Sequence, residues 1–281
     1  MTSQSDHSKR IISGQFFSPD SKIWQVDREM ALLLAGGRAL LLQLAHPKVA
    51  AGVAAHSRFR ENPLARLQRT MNTMWSIVFD DAQNARSALL QVTNIHKQVH
   101  GMVQPGESVP IGTRYDAQDP ELLLWVHATL IDSAIIAYDL FVKPLSAEEK
   151  SLYYEDSKKL AQLFGIPNPI IPASPADFNA YMMSMMMSDA FAVGPMARSL
   201  AHEIVYPRPW LLRPAAPLFR VVTAGLLPER LRNAYGLSWN ERREKIFRLV
   251  AKAIRYSRPL LPRPLRIVPN ARSAEKRLRF D

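Results

Sequence analysis

Two long apolar stretches, Met30 to Ala45 and Leu122 to Phe141, constrain the fold of this chain more than any other feature. Each has the length of a helix, but Arg38 interrupts the first and His127 interrupts the second. Charged and ionisable groups are costly inside a bilayer, so both stretches are interpreted as buried core helices rather than membrane spans. Because no run of useful length alternates with the period of a strand, the sequence predicts an all-α fold.

Turn and capping signals mark the remaining helical segments. Pro47 is expected to stop a first core helix over Asp27–His46, and Gly101 is expected to end a helix that opens at Asp80-Asp81. The segment Met102–Pro120 has the composition of a loop, with a short hairpin at most. Further helices are expected at approximately 64–79, 120–142, 146–165, 177–205 and 240–255.

Composition excludes several classes of chemistry. The 281 residues include no cysteine, so disulfides, zinc–thiolate sites, iron–sulfur clusters and covalently attached haem are excluded together. Any metal therefore needs histidine or oxygen ligands. The polar N-terminus shows no secretory signal, which predicts a cytoplasmic protein.

Positive charge is concentrated at the C-terminal end, where the tail after Pro259 is rich in proline and arginine. From Pro207 to Asp281 there are 18 Lys or Arg and 5 Asp or Glu, a balance of +13, whereas the whole chain carries +11. The segment Trp210–Leu227 interleaves large apolar residues with arginine, as interfacial segments do. Peripheral contact with an anionic membrane and a solvated basic tail both remain open, and no nucleic-acid partner is expected.

Histidines within or beside the apolar segments are the candidate metal ligands. His96 and His100 are spaced one helical turn apart, but Lys97 stands where a zinc protease needs glutamate. The Glu-x-x-His motif of di-iron proteins does not occur. An iron site with two histidines and a carboxylate stays open, as does a hydrogen-bonded core role for each histidine. Haem suits the pattern better, because one neutral imidazole can bind its iron while helices supply an apolar slot.

A polar stripe follows one face of the helix expected at 64–79. Arg66, Arg69, Thr70 and Thr73 are three or four residues apart, while the apolar flank that begins at Trp75 indicates that this helix packs into the core. A guanidinium at this place could pair with a haem propionate, stabilise bound dioxygen or meet a carboxylate. A solvated face is the alternative interpretation.

Short motifs that occur in a fixed order identify a family. They are Gly36-Gly37-Arg38-Ala39, Gln43-Leu44-Ala45-His46-Pro47, Gly52-Val53 with His56-Ser57, Asn62-Pro63 with Arg66-Leu67 and Arg69-Thr70, Ile95-His96 with Val99 and Gly101, Tyr115-Asp116-Ala117 with Asp119-Pro120, and Trp125-Val126-His127-Ala128-Thr129-Leu130 with Ser133. Over residues 28–205 the chain resembles the rubber oxygenases (latex-clearing proteins) and MpaB-type oxygenases. The resemblance implies an all-α domain with globin-like core features that holds a non-covalent haem b.

The resemblance also implies roles for single residues. By motif order His96 corresponds to the proximal ligand of the haem iron, and His127 to a second histidine near the haem. Arg66 and Thr70 correspond to the distal arginine and threonine. Arg69 stands where the rubber-cleaving members carry a lysine, so a lysine-capped iron is not expected here.

The predicted organisation is an N-terminal arm over 1–27, a single helical oxygenase-like domain over 28–205 and a basic C-terminal extension over 206–281 with at least one helix. The predicted function is a haem b-dependent oxygenase that uses dioxygen and an unidentified electron donor on a small hydrophobic substrate. His46 joins the distal residues as a candidate base or hydrogen-bond donor, and Arg69 is a candidate cofactor contact. The alternative is a non-catalytic haem- or lipid-binding helical protein at a membrane surface.

Overall fold

Fourteen α-helices and one pair of short strands make up the residues that the structure, a computed structural model, describes: 14–56, 63–188, 191–206 and 216–280. The predicted all-α fold is confirmed, and the hairpin is the short one allowed for Met102–Pro120. In chain order the elements are α1 (Lys22–Asp27), α2 (Gly36–Leu44), α3 (Pro47–His56), α4 (Pro63–Phe79), α5 (Ala82–His96), β1 (His100–Met102), β2 (Arg114–Asp116), α6 (Pro120–Phe141), α7 (Ala147–Leu163), α8 (Pro175–Met187), α9 (Pro195–Val205), α10 (Ala216–Leu226), α11 (Glu229–Ala234), α12 (Glu241–Ser257), α13 (Arg263–Arg266) and α14 (Pro269–Phe280).

Helix α6 runs through the middle of the fold. Its start follows the sequence signals, because Asp119 accepts a hydrogen bond from the Glu121 amide and Pro120 occupies the first turn. It packs against α2, α7, α12 and a 3₁₀ segment over Met30–Ala35, which explains its apolar composition. Among the described residues, α6 is the one helix long and apolar enough to cross a membrane. The bent pair Met30–Leu44 and Pro47–His56 passes the same test only when it is counted as one span.

The first core helix is broken, contrary to the prediction of a continuous helix over Asp27–His46. A 3₁₀ segment separates α1 from α2, and Pro47 begins α3 instead of ending a helix, with a turn of 107° at that corner. Proline suits the first helical turn because its missing amide would be unpaired there in any case. The break before Met30 is stabilised from far along the chain, since the Val268 amide donates to the Arg28 carbonyl at 2.9 Å.

The methionine-rich segment forms two helices, α8 and α9, rather than the single helix expected over 177–205. Gly194 and Pro195 start α9 at a place where the chain passes close to Glu107. A Cβ at residue 194 would overlap the Glu107 carboxylate, which accepts a hydrogen bond from the Met196 amide at 2.8 Å. This contact between distant segments, which no local periodicity encodes, fixes the helix boundary.

The C-terminal region belongs to the same core as the rest of the domain. Phe247 and Ala251 of α12 pack with Phe141 of α6, and α14 packs along α4 with Ala271 and Ala274 fully buried. Helix α14 was not predicted, because its inward side chains are mainly small alanines among many charged residues. The described residues of this region, 216–280, therefore pack against the helical core, and the predicted boundary at residue 206 stays a prediction.

The Gly36-Gly37 pair yields a stability prediction, because α10 crosses α2 at residue 37. A Cβ at residue 37 would overlap Oγ1 of Thr223 and lie 2.9 Å from its Cγ2, whereas a Cβ at residue 36 would meet nothing within 4 Å. Gly37→Ala should therefore lower the free energy of unfolding by about 1–3 kcal/mol. Gly36→Ala should raise it by about 0.5–1 kcal/mol through helix propensity.

Urea unfolding of both variants, of Thr223→Ala and of Gly37→Ala/Thr223→Ala measures this crossing. Thr223→Ala removes the two obstructing atoms, so the double variant should be more stable than the sum of the single effects. If the effects of the two single substitutions simply added in the double variant, residues 37 and 223 would not interact, which would contradict the close contact between α2 and α10.

Candidate functional site

The α4–α5 hairpin carries most of the predicted site residues. Asp81 caps α5 by accepting a hydrogen bond from the Asn84 amide at 2.9 Å, two residues after α4 ends, and the two helices pack along each other. Because the helices run antiparallel from this tight turn, the start of α4 meets the end of α5. Arg66 and His96 therefore lie at the same open end of the hairpin.

His96 is the last residue of α5 and is half-buried. It lies at helical spacing from Ala85 and Ala88, which are buried, and so belongs to the inward face of the helix. Burial lowers the pKa of the His96 imidazole below its ordinary value of 6.5, so the ring is uncharged at neutral pH. No hydrogen bond engages this ring within the described part of the chain, which leaves a nitrogen lone pair available to a metal.

Three further predicted residues lie on α4. The backbone of Arg66 is helical, but its side chain lies outside the described residues. Arg69 and Thr70 are exposed, one helical turn nearer to the turn of the hairpin. The Arg69 carbonyl accepts a hydrogen bond from the Thr73 hydroxyl at 2.9 Å. These positions form one stripe, as predicted, and it faces solvent at residues 69 and 70.

His96 and His100 do not share a helix, contrary to the prediction that the helix runs to Gly101. Helix α5 ends at His96, and His100 begins β1. The strand pairing causes this, because Gly101 faces Tyr115 and the Ala117 amide donates to the Val99 carbonyl at 2.9 Å. Chelation of one metal by an i, i+4 histidine pair on a helix is therefore wrong for these two residues.

Tyr115 is the centre of a cluster that sequence reasoning did not assemble. Its ring packs against two glycines: a Cβ at Gly101 would lie 2.7 Å from the Tyr115 hydroxyl, and one at Gly52 would lie 3.6 Å from the ring. Nε2 of His56, the last residue of α3, lies 3.2 Å from that hydroxyl and 3.3 Å from the His100 carbonyl. The motifs around residues 52, 101 and 115 thus hold α3 against the β1–β2 hairpin that follows His96. In the sequence, the two glycines were the signal from which this contact could have been predicted.

His46 lies at the other end of α3, at the corner between α2 and α3. It is placed by antiparallel contacts of this corner with α6: Gln43 donates to the Thr129 hydroxyl at 3.1 Å, and Lys48 pairs with Asp119 at 4.0 Å. Burial and the Lys48 charge lower the pKa of His46 to about 4. Since α3 spans ten residues, at about 1.5 Å each, it separates His46 from His56 by roughly 15 Å.

Two buried nitrogens at this corner, Nδ1 of His46 and Nε1 of Trp125, have no hydrogen-bond partner among the described residues. Trp125 is fully buried, lies one turn before Thr129 on α6 and packs edge-on against Phe191, with 5.2 Å between ring centroids. Unpaired buried polar groups are rare because each costs the energy of its lost hydration. At this corner, therefore, the loss of hydration of two buried nitrogens is not compensated by hydrogen bonds within the described residues.

His127 faces away from α2. Its ring is buried, and its pKa is lowered to about 4 by burial, against the effect of a hydrogen bond to the Ser157 backbone on α7. Thr129, two residues later and about 200° around the helix, faces α2 instead. His127 thus lies between α6 and α7, whereas His46 and Gln43 lie on the opposite side of α6.

No metal-binding cluster accompanies these histidines in the described residues. No group of three histidine or carboxylate side chains there could hold a metal ion together. A cleft of about 450 Å³ does occur elsewhere, lined by charged and polar residues, and it includes none of the predicted site residues. Its lining includes Arg28, Glu29, Tyr138, Lys143 and Arg258.

Comparison with known proteins identifies the class. Residues 24–256 match the family described as ER-bound oxygenase mpaB/B'/rubber oxygenase, catalytic domain. The fold therefore carries an oxygenase catalytic domain, which is an oxidoreductase. The chain belongs to the mpaB/rubber oxygenase family, as the ordered motifs predicted, and the match extends beyond the predicted 28–205 to include α10, α11 and most of α12.

Two relatives are the uncharacterized proteins Mb2261 of Mycobacterium bovis and Rv2237 of Mycobacterium tuberculosis. Each is 24% identical over 230 residues, which cover 79% of this chain and 87% of the relative. No solved structure matches the chain.

Proposed function

We propose that the protein is a haem b-dependent oxygenase that uses dioxygen to oxidise a hydrophobic organic molecule, and that His96 would hold the haem iron. The family supports oxygenase chemistry in general. The observation that carries the haem assignment is the placement of His96, an uncharged imidazole on the inward face of α5 that has no hydrogen bond to any described residue. A neutral imidazole of this kind is a residue type that would hold haem iron.

The surroundings of His96 support its role in holding and orienting the cofactor. The Asp81 cap and the α4–α5 contact fix the helix, and the β1–β2 pair fixes the chain that follows it. When bound, haem would supply the binding and activation of dioxygen. Arg66, at the same end of the hairpin, is proposed to place its guanidinium near the reacting oxygen or a propionate, with Thr70 one turn away on α4.

Other predicted residues receive different roles. His127 is proposed as a core histidine, because its ring already engages the Ser157 backbone between α6 and α7. His46 is uncharged at neutral pH, so its ring is available for a neutral hydrogen bond, and it lies at the opposite end of α3 from the His56 cluster. We retain it as a hydrogen-bonding group for a substrate that reaches the α2–α3 corner, not as a contact of His96.

Exposed apolar side chains close to His96 in the sequence support a hydrophobic substrate. Ile95 is the residue before His96 and is 60% exposed, and Met102 of β1 is 62% exposed. Large apolar groups at the mouth of a site favour apolar ligands, because burying them against such a ligand removes both surfaces from water. The electron donor is proposed to be a separate protein or small molecule.

The test is haem retention by the full chain, produced with a supplied haem precursor and measured by the visible absorption of the purified protein. The wild type should show an intense Soret band, and His96→Ala should lose most of it. His100→Ala is the matched control, because His100 is four residues away and exposed, and it should keep the band. A wild type without haem, or a His96→Ala variant with the wild-type spectrum, would contradict haem binding through His96.

Oxygen consumption separates an oxygenase from a haem carrier. With a chemical reductant and a hydrophobic test substrate, the wild type should consume dioxygen in a substrate-dependent manner, and His96→Ala should not. A haem-loaded wild type that consumes no dioxygen with any apolar substrate would favour the non-catalytic carrier.

A further inference from the structure

Large apolar side chains are exposed in an unusual concentration near the C-terminus. Six of the fifteen exposed large apolar residues in the described ranges fall within the short stretch 246–265. Leu249 is 69% exposed, Tyr256 is 74% exposed and Leu260 is 84% exposed. The six are Ile246, Leu249, Tyr256, Leu260, Leu261 and Leu265.

The exposed residues of α12 lie on one side of a helix whose other side is packed into the core. In α12 the inward positions include Phe247 and Ala251, with the Phe247 ring packed against the backbone of α10 at Gly225. Ile246, Leu249 and Tyr256 are spaced by three and seven residues and lie on the outward side. Leu260, Leu261 and Leu265 are exposed in the segment that directly follows α12, and Leu265 lies in α13. We call these exposed residues together the α12–α13 surface.

The charge on the α12–α13 surface is predominantly positive. The segment 245–274 has eight Lys or Arg and no Asp or Glu. Arg242, Lys245 and Lys252 are exposed on α12, and no carboxylate in the described part of the chain pairs with them. The cations that are paired use carboxylates of other segments or of the first turn of α12, through the pairs Arg248–Glu244, Arg258–Glu29 and Arg263–Glu275.

We propose that the α12–α13 surface docks the protein peripherally on an anionic lipid bilayer. Exposed leucines and a tyrosine among unpaired lysines match the interfacial region of such a bilayer, where apolar groups enter the acyl boundary and cations meet the headgroups. Each lysine near an anionic surface contributes about 1 kcal/mol of attraction. The pattern thus complements both the charge and the polarity of the lipid surface.

Other occupants fit this surface less well. A second copy of the chain would bring two cationic surfaces together, which repel each other. Nucleic acid would match the charge but would leave the leucines without partners, since stacking on bases needs aromatic platforms. The segment Trp210–Leu227 predicted from the sequence is not the same surface: residues 207–215 lie outside the described ones, and α10 buries Val222 and Leu226.

Vesicle flotation of the full chain tests the docking. The protein should float with vesicles of phosphatidylcholine mixed with phosphatidylglycerol, and hardly at all with pure phosphatidylcholine. Lys245→Gln/Lys252→Gln should weaken binding by about tenfold or more, and Leu249→Ser/Leu260→Ser should weaken it comparably through loss of apolar insertion. Added salt should weaken the wild type more than the lysine variant, because screening acts on the charge term.

Matched variants elsewhere on the surface isolate the site. Lys276→Gln/Arg279→Gln removes the same charge from exposed positions of α14, and Leu152→Ser/Met183→Ser removes exposed apolar groups from α7 and α8. Both should bind vesicles as the wild type does. Equal binding of all variants, or binding to duplex DNA but not to anionic vesicles, would overturn the proposal.

Discussion

Replacing Arg38 with leucine should lower the free energy of unfolding by about 3 kcal/mol, because it breaks a buried ion pair. The Arg38 side chain is 3% exposed, and one guanidinium nitrogen lies 2.6 Å from the Asp132 carboxylate, whose side chain is 20% exposed. Two further nitrogens donate to the Ser133 hydroxyl at 2.7 Å and to the Leu226 carbonyl at 2.9 Å. The substitution leaves a carboxylate and the last carbonyl of α10 without partners in an apolar interior.

The matched control is Arg248→Leu, which removes an ion pair of the same length. Arg248 lies 2.6 Å from Glu244, but its side chain is 73% exposed and that of Glu244 is 34% exposed. Exposed pairs contribute about 0–1 kcal/mol, so this variant should stay close to the wild type. Urea unfolding at neutral pH, with equal slopes for the three proteins, provides the comparison. Equal losses for the two variants would show that burial does not set the strength of the Arg38 interaction.

The wild type should lose about 2 kcal/mol of stability between pH 5 and pH 8 as Asp27 ionises, and replacing Asp27 with asparagine should remove this loss. Burial, with a contribution from the nearby Asp156 charge, raises the pKa of Asp27 to about 7 despite the hydrogen bond that it accepts from Tyr153 at 3.0 Å. The unfolded chain has a pKa near 3.8 at this residue. The folded state therefore holds the proton more tightly, and its stability falls as the pH rises from about 4 to about 7.

The measurement is the difference in free energy of unfolding between Asp27→Asn and the wild type at pH 5 and at pH 8. The variant should gain on the wild type as the pH rises, and the difference should level off above pH 7. His46 and His127, which also have shifted pKa values, are present in both proteins and cancel. Asp81→Asn is a control of opposite sign, because backbone hydrogen bonds lower the pKa of Asp81. If the difference in free energy of unfolding between the variant and the wild type did not change with pH, the burial that raises the pKa of Asp27 would be contradicted.

Element boundaries with local signals were predictable from the sequence. Asp119 and Pro120 mark the start of α6, and the reciprocal hydrogen bonds of Ser146 and Glu149 form the predicted capping box of α7. These signals act within one helical turn, so they do not depend on the rest of the fold. The boundaries at Met30 and Gly194 were missed because residues more than 80 positions away stabilise them.

The candidate site was only partly predictable for the same reason. The resemblance and the order of motifs singled out His96, and the α4–α5 hairpin places it with Arg66 at one end. Gly52, Gly101 and Tyr115 were quoted as motif residues, yet their mutual packing emerges only when α3 and the β1–β2 pair meet.

By itself, the sequence determined the helical class, the absence of thiol chemistry and membership of an oxygenase family, because composition, local periodicity and ordered motifs are properties of neighbouring residues. Only the tertiary structure decided what each histidine faces. His127 meets the Ser157 backbone of α7, whereas His96 meets no hydrogen-bonding group in the described residues. The two histidines look alike in a helical pattern, since the partner that distinguishes them comes from a distant helix and not from the residue's own turn.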